Sequence, residues 1–258
     1  MCYTVQSATK PVFSYAEQRG YAEYTEKIKQ RIESLSAWKA PMYHVSGFAH
    51  PRLLVFTNEK PVEPQEFTWG LIAPWTKTMA DAKKFWNNTL NARCETMFEL
   101  NSFKDSALHK RCLIYLDAFY EYHHYCGKTA PFRIELANRA PLIVGGLWSE
   151  WADRETGEIL KTVSIVTTKA NPLMARIHNN PKASEGPRMP VILPPEKQNQ
   201  WLMEIKTEAD KNNLMKLTAP LPEEWLEAHT VARLTGKEAI GNVAEAEQEV
   251  KYSDLTFE

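Results

Sequence analysis

The 258-residue chain is 43% hydrophobic and 24% charged with a formal net charge of −1, an ordinary globular balance that can bury a sizeable core in one large domain or two small ones. No apolar run approaches the roughly 20 residues of a membrane span, and no basic segment followed by an apolar stretch opens the chain, so neither a span nor a secretory leader is expected. Cys2, Cys94, Cys112 and Cys126 lie far apart without a C-x-x-C pair, which argues against a zinc site or a disulfide framework and for a reducing, cytoplasmic setting.

In chain order, residues 13–38 repeat apolar and aromatic positions at helical spacing with Glu/Lys pairs between them, and predict a helix. Residues 41–51, with proline at both ends, read as a loop. "RLLVF" at 52–56 is a short buried strand, and "EFTWGLIAPW" a second strand that ends at Pro74. Residues 81–93 read as irregular or weakly helical and 94–110 as helical. "RCLIYL" at 111–116 is a dense apolar strand that runs into "DAFYEYHHY". "PFRIEL", "APLIVGGLW" and "KTVSIVTT" follow as β runs, separated by turn residues at Gly127–Lys128, Asn138–Arg139 and 153–158. "NPLMARIHN" is a short helix, "PKASEGPRMP" a loop, "PVIL" a strand, and residues 194–205 a helix with proline near its start. Hairpin-linked strands with helices towards both ends predict a single α+β domain around an antiparallel sheet, with an acidic, partly loose tail.

Charge is unevenly placed. From Glu196 onward there are 13 acidic residues against 7 Lys or Arg, so the preceding part is net positive. Lys83, Lys84, Arg93, Lys104, Lys110 and Arg111 form one basic stretch, and Lys169, Arg176, Lys182 and Arg188 another. A groove that collects them would bind a polyanion; a solvated basic surface is the competing reading.

Four places carry candidate chemistry. Cys2 is small, so methionine aminopeptidase is expected to remove Met1 and leave a chain that begins with an α-amine beside a thiol. The amine, with a pKa of about 7.7–8.0, can form an imine with an aldehyde, and the thiol can close it to a thiazolidine. The same pair suits N-terminal-nucleophile amide hydrolysis. Free cysteine is usually inert packing, so position alone does not decide. Glu121, among aromatics at a strand end, would act as general acid or base if buried, or be an ordinary solvated carboxylate if it faces outward. His178 lies between a helical turn and a Pro/Gly loop beside Arg176, a site for proton transfer or simply a surface histidine. His123 and His124 are adjacent and lack metal-ligand spacing. Asn91 and Arg93 share a face if extended; Asn would orient a substrate oxygen and Arg grip a phosphate, or both would serve the loop itself.

Taken in order, Cys2, "WGLIAPW", "LNARCET", "RCLIYLDAFYEY", "LIVGGLW", "VSIVTTKAN", "ARIH" and "RMPVIL" resemble the SRAP family, the SOS-response-associated or abasic-site processing proteins, over residues 2 to about 205. The resemblance implies a single α+β domain with a β-barrel-like core, a monomer, possession of no cofactor, and single-stranded DNA containing abasic sites as partner, near the nucleoid in a bacterium. It implies that Cys2 is the nucleophile, that Asn91 holds it and the opened sugar, and that Glu121 shuttles protons at the α-amine. It implies that His178 assists ring opening and that Arg93 binds a flanking phosphate. Trp69 and the Pro41–Tyr43 loop would contact or wedge the DNA, with Arg176 and Arg188 in its groove. Residues 206–258 would be an acidic extension.

The chain departs from that family in three places. Its members commonly begin M-C-G-R, whereas Tyr3 and Thr4 stand here, so one phosphate contact should weaken, with Lys10 or Lys83–Lys84 as replacements. A Trp often follows the glutamate; Tyr122 stands here and keeps a ring for base stacking. Residues 179–187 intervene between His178 and Arg188, where members run almost directly on, which puts the histidine's geometry in question. Two rival functions share the residues: an N-terminal-nucleophile cysteine peptidase, and a non-catalytic single-stranded-DNA-binding module built on aromatics and a basic groove.

Overall fold

The computed structural model describes residues 2–7, 25–36, 39–182 and 186–257. Its elements are β1 (Thr4–Ser7), α1 (Thr25–Ser34), β2 (Met42–Ser46), β3 (Arg52–Thr57), β4 (Gln65–Trp69), α2 (Met79–Phe85), β5 (Asn91–Arg93), α3 (Lys104–His109) and β6 (Arg111–Leu116). There follow β7 (Ala118–Tyr125), β8 (Lys128–Leu136), β9 (Leu142–Ala152), β10 (Ile159–Lys169), α4 (Pro172–Ile177), β11 (Arg188–Pro190), α5 (Pro195–Leu202), α6 (Glu208–Lys216) and β12 (Leu226–Thr230).

Strands β4, β3, β6, β9 and β10 pair in that order, and β10 pairs again with β4, so the ring closes. The β4–β10 seam is parallel and the other pairings antiparallel. Closure removes the exposed edges of an open sheet. Side-chain alternation divides the core in two. Leu53, Val55, Cys112, Ile114, Val144 and Ile165 join one cluster with Phe119, Phe132 and Ile134 of the second sheet. Leu54, Phe56, Leu113, Tyr115 and Ile143 join the other, closed by Ile28 and Ile32 of α1, Trp201 of α5 and Leu214 of α6. Both faces of β6 are therefore covered, which is why "RCLIYL" shows no polar alternation.

The second sheet runs β12-β8-β7-β1-β2. The chain passes into it from the barrel at the buried Asp117, whose N–H donates to the Gln6 carbonyl at 2.9 Å. The β7–β8 hairpin turns on Cys126 and Gly127, both left-handed at φ 45° and 72°, the conformation of a two-residue type I′ turn. The result is the expected α+β architecture with a barrel.

Several local expectations change. Residues 42–46 are a strand, not a loop, because β1 supplies a partner for "MYHVS". The helix expected over 94–110 is confined to Lys104–His109; a succession of turns occupies 94–103, where Asn101–Ser102 interrupts any helical stripe. Residues 81–93 divide into the end of α2, a 3₁₀ turn and β5. Of the helix expected over 13–38, Thr25–Ser34 is helical and 35–36 turn out of it, while 13–24 and 37–38 lie outside the described residues, as does Lys10. The acidic tail is folded: β12 pairs with β8, Ala246 is buried, and Glu247 accepts a 2.8 Å hydrogen bond from Gln6 Nε2.

Arg111 is fully buried and therefore absent from the basic surface. It donates to the carbonyls of Ala107, Leu108, Trp201 and Met203 at the ends of α3 and α5, and burial pushes its pKa down to about 10. Trp201 fills the barrel's outer face and donates its indole N–H to the Cys112 carbonyl at 3.0 Å. Trp201→Ala should cost about 3–5 kcal/mol, read as a lower denaturant midpoint at unchanged slope.

Candidate active site

The amino-terminal strand is an interior strand. β1 is bonded to β7 on one side and β2 on the other, and all four of its residues are buried. The antiparallel register Thr4↔Tyr120 sends Tyr3 and Cys2 back along β7 towards Glu121 and Tyr122. Cys2 is inaccessible to solvent and its Sγ lies 4.0 Å from the Thr4 carbonyl. Burial pushes its thiol well above the ordinary range, and the negative charge of Glu121 pushes it further.

Asn91 reaches the same place from the barrel. The short strand β5 lies parallel to β10, with Asn91 opposite Ile165 and Arg93 opposite Thr167. It is extended, so Ala92 enters the core while Asn91 and the half-buried Arg93 share the other side. Asn91 Nδ2 donates to the Cys2 carbonyl at 2.8 Å. Its Oδ1 is buried and has no hydrogen-bond partner among the described residues.

Glu121 is buried on β7, and burial pushes its pKa up to about 7, with the positive charge of the amino terminus opposing the rise. His178 closes α4, whose first turn Asn171 caps by accepting from the Met174 N–H at 2.8 Å. Burial, followed by the charge of the amino terminus, lowers the His178 pKa, so the ring is neutral at pH 7. The Arg188 N–H, which can only donate, lies 3.1 Å from His178 Nδ1. The Arg188 carbonyl is 3.2 Å from the same nitrogen, but the donor fixes Nδ1 as acceptor and leaves the proton on Nε2. The residues inserted between His178 and Arg188 thus leave the two in contact. Asn179, the first of them, donates to the His124 carbonyl and accepts from its N–H at 2.9 and 2.7 Å, occupying the edge of β7 beyond the end of β1.

The remaining expected residues are placed differently from one another. Trp69 is fully buried and cannot touch DNA; its indole N–H holds the Leu90 carbonyl at 2.8 Å, directly before Asn91. Arg188 is buried too, and its charge is already paired: it bonds Glu95 at 3.2 and 2.7 Å and the Thr167 carbonyl at 2.9 Å, so it shapes the site rather than gripping phosphate. Arg176 is exposed and lies 3.4 Å from Glu223. Pro41 is exposed, and its carbonyl accepts from Asn242, whose Oδ1 in turn accepts from the Tyr43 N–H at 2.8 Å. Tyr43 and Tyr122 are half-buried. Among the described residues the exposed Trp and Phe side chains are instead Phe48, Trp75, Phe85 and, near the C-terminal part, Trp225. The signal for Trp75 was its place after Pro74, outside the strand that buries Trp69.

The sequence profile of the SOS response associated peptidase (SRAP) family matches residues 7–238. The chain belongs to this family. The match runs well past residue 205 and takes in most of the C-terminal part. Among SRAP relatives, the chain is 38% identical over 167 residues to the abasic site processing protein YoqW of Bacillus subtilis (strain 168), covering 64% of this chain and 68% of that one. It is 27% identical over 174 residues to the abasic site processing protein HMCES of Gallus gallus, covering 60% of this chain and 49% of that one. The crystal structure of a Bacteroides thetaiotaomicron protein superposes on 97% of this chain and 100% of its own with a TM-score of 0.77 at 26% identity. The SRAP-like fold described above is therefore shared with an experimentally determined structure.

Glu121 gives this site a stability signature. Its folded pKa of about 7 lies above the ordinary 4.5, so the unfolded chain releases the proton first. Stability is then fully present below about pH 4.5 and falls as pH rises to about 7. Glu121→Gln should raise unfolding free energy at pH 8 by up to about 3 kcal/mol and change it little at pH 4.5. Denaturant titrations at the two pH values check this.

Proposed function

We propose that the protein processes abasic sites in single-stranded DNA by linking them covalently to the amino-terminal cysteine. The observation that carries this reading is the Asn91 amide on the Cys2 carbonyl at 2.8 Å, with the buried carboxyl of Glu121 coupled electrostatically to the same cysteine. The family membership and the names of the relatives support it.

The reaction requires that Met1 is removed, which leaves Cys2 with its own amine. The abasic sugar rests mainly as a closed hemiacetal. His178, neutral with its proton on Nε2, donates to the ring oxygen as the C1′–O4′ bond breaks, and a base takes the proton of the C1′ hydroxyl. The Cys2 nitrogen adds to the aldehyde carbon, and loss of one water gives the imine. Glu121, half ionised near neutral pH, then accepts the thiol proton. Its help is needed because the buried thiol does not ionise unaided. Sulfur adds to the imine carbon, the nitrogen is protonated, and a thiazolidine ring closes. The Asn91 Oδ1, without a hydrogen-bond partner among the described residues, is the acceptor for the amine or an opened-sugar hydroxyl. Elimination at the imine stage is the route to strand cleavage, and ring closure suppresses it.

Intact mass before and after incubation with an abasic oligonucleotide reads both Met1 loss and the adduct. Wild type should gain the oligonucleotide mass less one water. Cys2→Ala should gain nothing; an adduct with that variant sinks the mechanism. Adduct formation should quicken between about pH 6 and 8 as Glu121 ionises, and Glu121→Gln should slow it by about a hundredfold and flatten that rise. A peptidase would instead turn over added peptides under the same conditions.

A further inference from the structure

The mechanism leaves unused a row of aromatic side chains that starts beside the nucleophile. Tyr3 follows Cys2, and Phe48 lies on it with ring centroids 5.0 Å apart. The turn that carries Phe48 is pinned by the Gly47 N–H on the Tyr3 carbonyl at 2.8 Å and capped by the Ser46 hydroxyl. Phe48 nevertheless stands 53% exposed. At the end of that turn, His50 stacks on Trp86 with centroids 4.1 Å apart. Gly70, at φ 113°, makes room for both rings: a Cβ there would sit 2.5 Å from Trp86 and 2.9 Å from His50. Trp86 then lines a cavity of about 430 Å³ together with Trp75 and Phe85. Trp75 and Phe85 are 60% and 59% exposed. Lys77, Lys84 and Asp81 line the same cavity, and Asp81 pairs with Lys84 at 2.9 Å.

Large aromatics left in solvent, linked by the 47–50 turn and the His50–Trp86 stack and accompanied by lysines, suit a ligand with flat faces and negative charge. Nucleobases and phosphates supply both. The geometry points to a stacking track for the nucleotides on one side of the abasic position, entering at Tyr3–Phe48 and ending in the Trp75–Phe85–Trp86 cavity. This inference rests on the abasic-site reading and adds to it a direction. The contact expected from an arginine at position 4 is replaced by ring stacking from Tyr3 and Phe48.

The test uses abasic oligonucleotides with nucleotides on only the 5′ or only the 3′ side of the lesion, and measures affinity by fluorescence anisotropy and adduct rate by gel. Phe48→Ala and Phe85→Ala should each weaken binding of one of the two by about tenfold and leave the other unchanged. Phe48→Trp should restore it. Tetrahydrofuran spacers in place of the flanking nucleosides should erase the difference between variant and wild type. Equal losses on both oligonucleotides, no loss, or a difference that persists on spacers would overturn the track. If wild type forms no adduct with either, the abasic-site reading fails instead. The track is then judged on intact single strands, which Phe48→Ala must still bind about tenfold more weakly for it to survive.

Discussion

The hydrogen bond from Asn91 to the Cys2 carbonyl ties the barrel to the first residues of the chain, and the rest of the site is arranged around it. An amino terminus ordinarily frays, because nothing precedes it to share the entropy of ordering. Here the barrel reaches across to hold it. The hold is itself built in stages. Trp69 is buried and fixes the Leu90 carbonyl, the Ile165 N–H fixes the same oxygen at 3.1 Å, and β5 is thereby seated on β10 with Asn91 aimed at Cys2. A side chain expected at the DNA surface turns out to position the residue that holds Cys2.

The second sheet completes the hold. β1 is an interior strand, so its backbone groups are bonded on both sides. Its Gln6 joins a buried polar network: Arg133 Nε donates to Gln6 Oε1 at 2.8 Å, Arg133 pairs with Glu135 at 2.7 Å, and Gln6 Nε2 reaches Glu247. Asn242 does the same for β2 by bonding the backbone of Pro41 and Tyr43. Residues 242 and 247 lie beyond the stretch that matches the family, so the acidic C-terminal part of this chain serves as a clasp on the strands that present Cys2.

Burial at the centre has opposing consequences. It raises the thiol of Cys2, which keeps it protonated, and raises Glu121 to about 7, the range in which a carboxyl can take up or release a proton at neutral pH. The same desolvation that destabilises a charged Glu121 provides a proton acceptor beside a thiol that needs one. His178 is tuned in the opposite direction, to a neutral ring, by its burial and the nearby amino terminus. Local environment rather than residue type alone thus sets which of these groups carries charge at neutral pH.

The sequence by itself determined the family and several of the strands that carry the candidate site. Cys2, Asn91, Glu121 and His178 stand in motifs whose order is distinctive, and the runs at 52–56 and 111–116 read as buried strands because their apolar residues are too dense for solvent. What it could not determine were properties that depend on a partner distant in sequence. Whether Glu121 faces in or out was decided by the packing of the two sheets: by strand alternation it shares a face of β7 with Phe119, which joins the core shared with the barrel. "MYHVS" became a strand because β1 lies beside it. Trp69 and Trp75 are alike in sequence, six residues apart, and only closure of the barrel buries one and leaves the other in solvent. Arg188 and Arg111 read in the sequence as surface charges, yet Glu95 and a set of carbonyls hold them inside. Composition and spacing fix which groups are available; tertiary packing fixes their neighbours, and neighbours set burial, charge and reach.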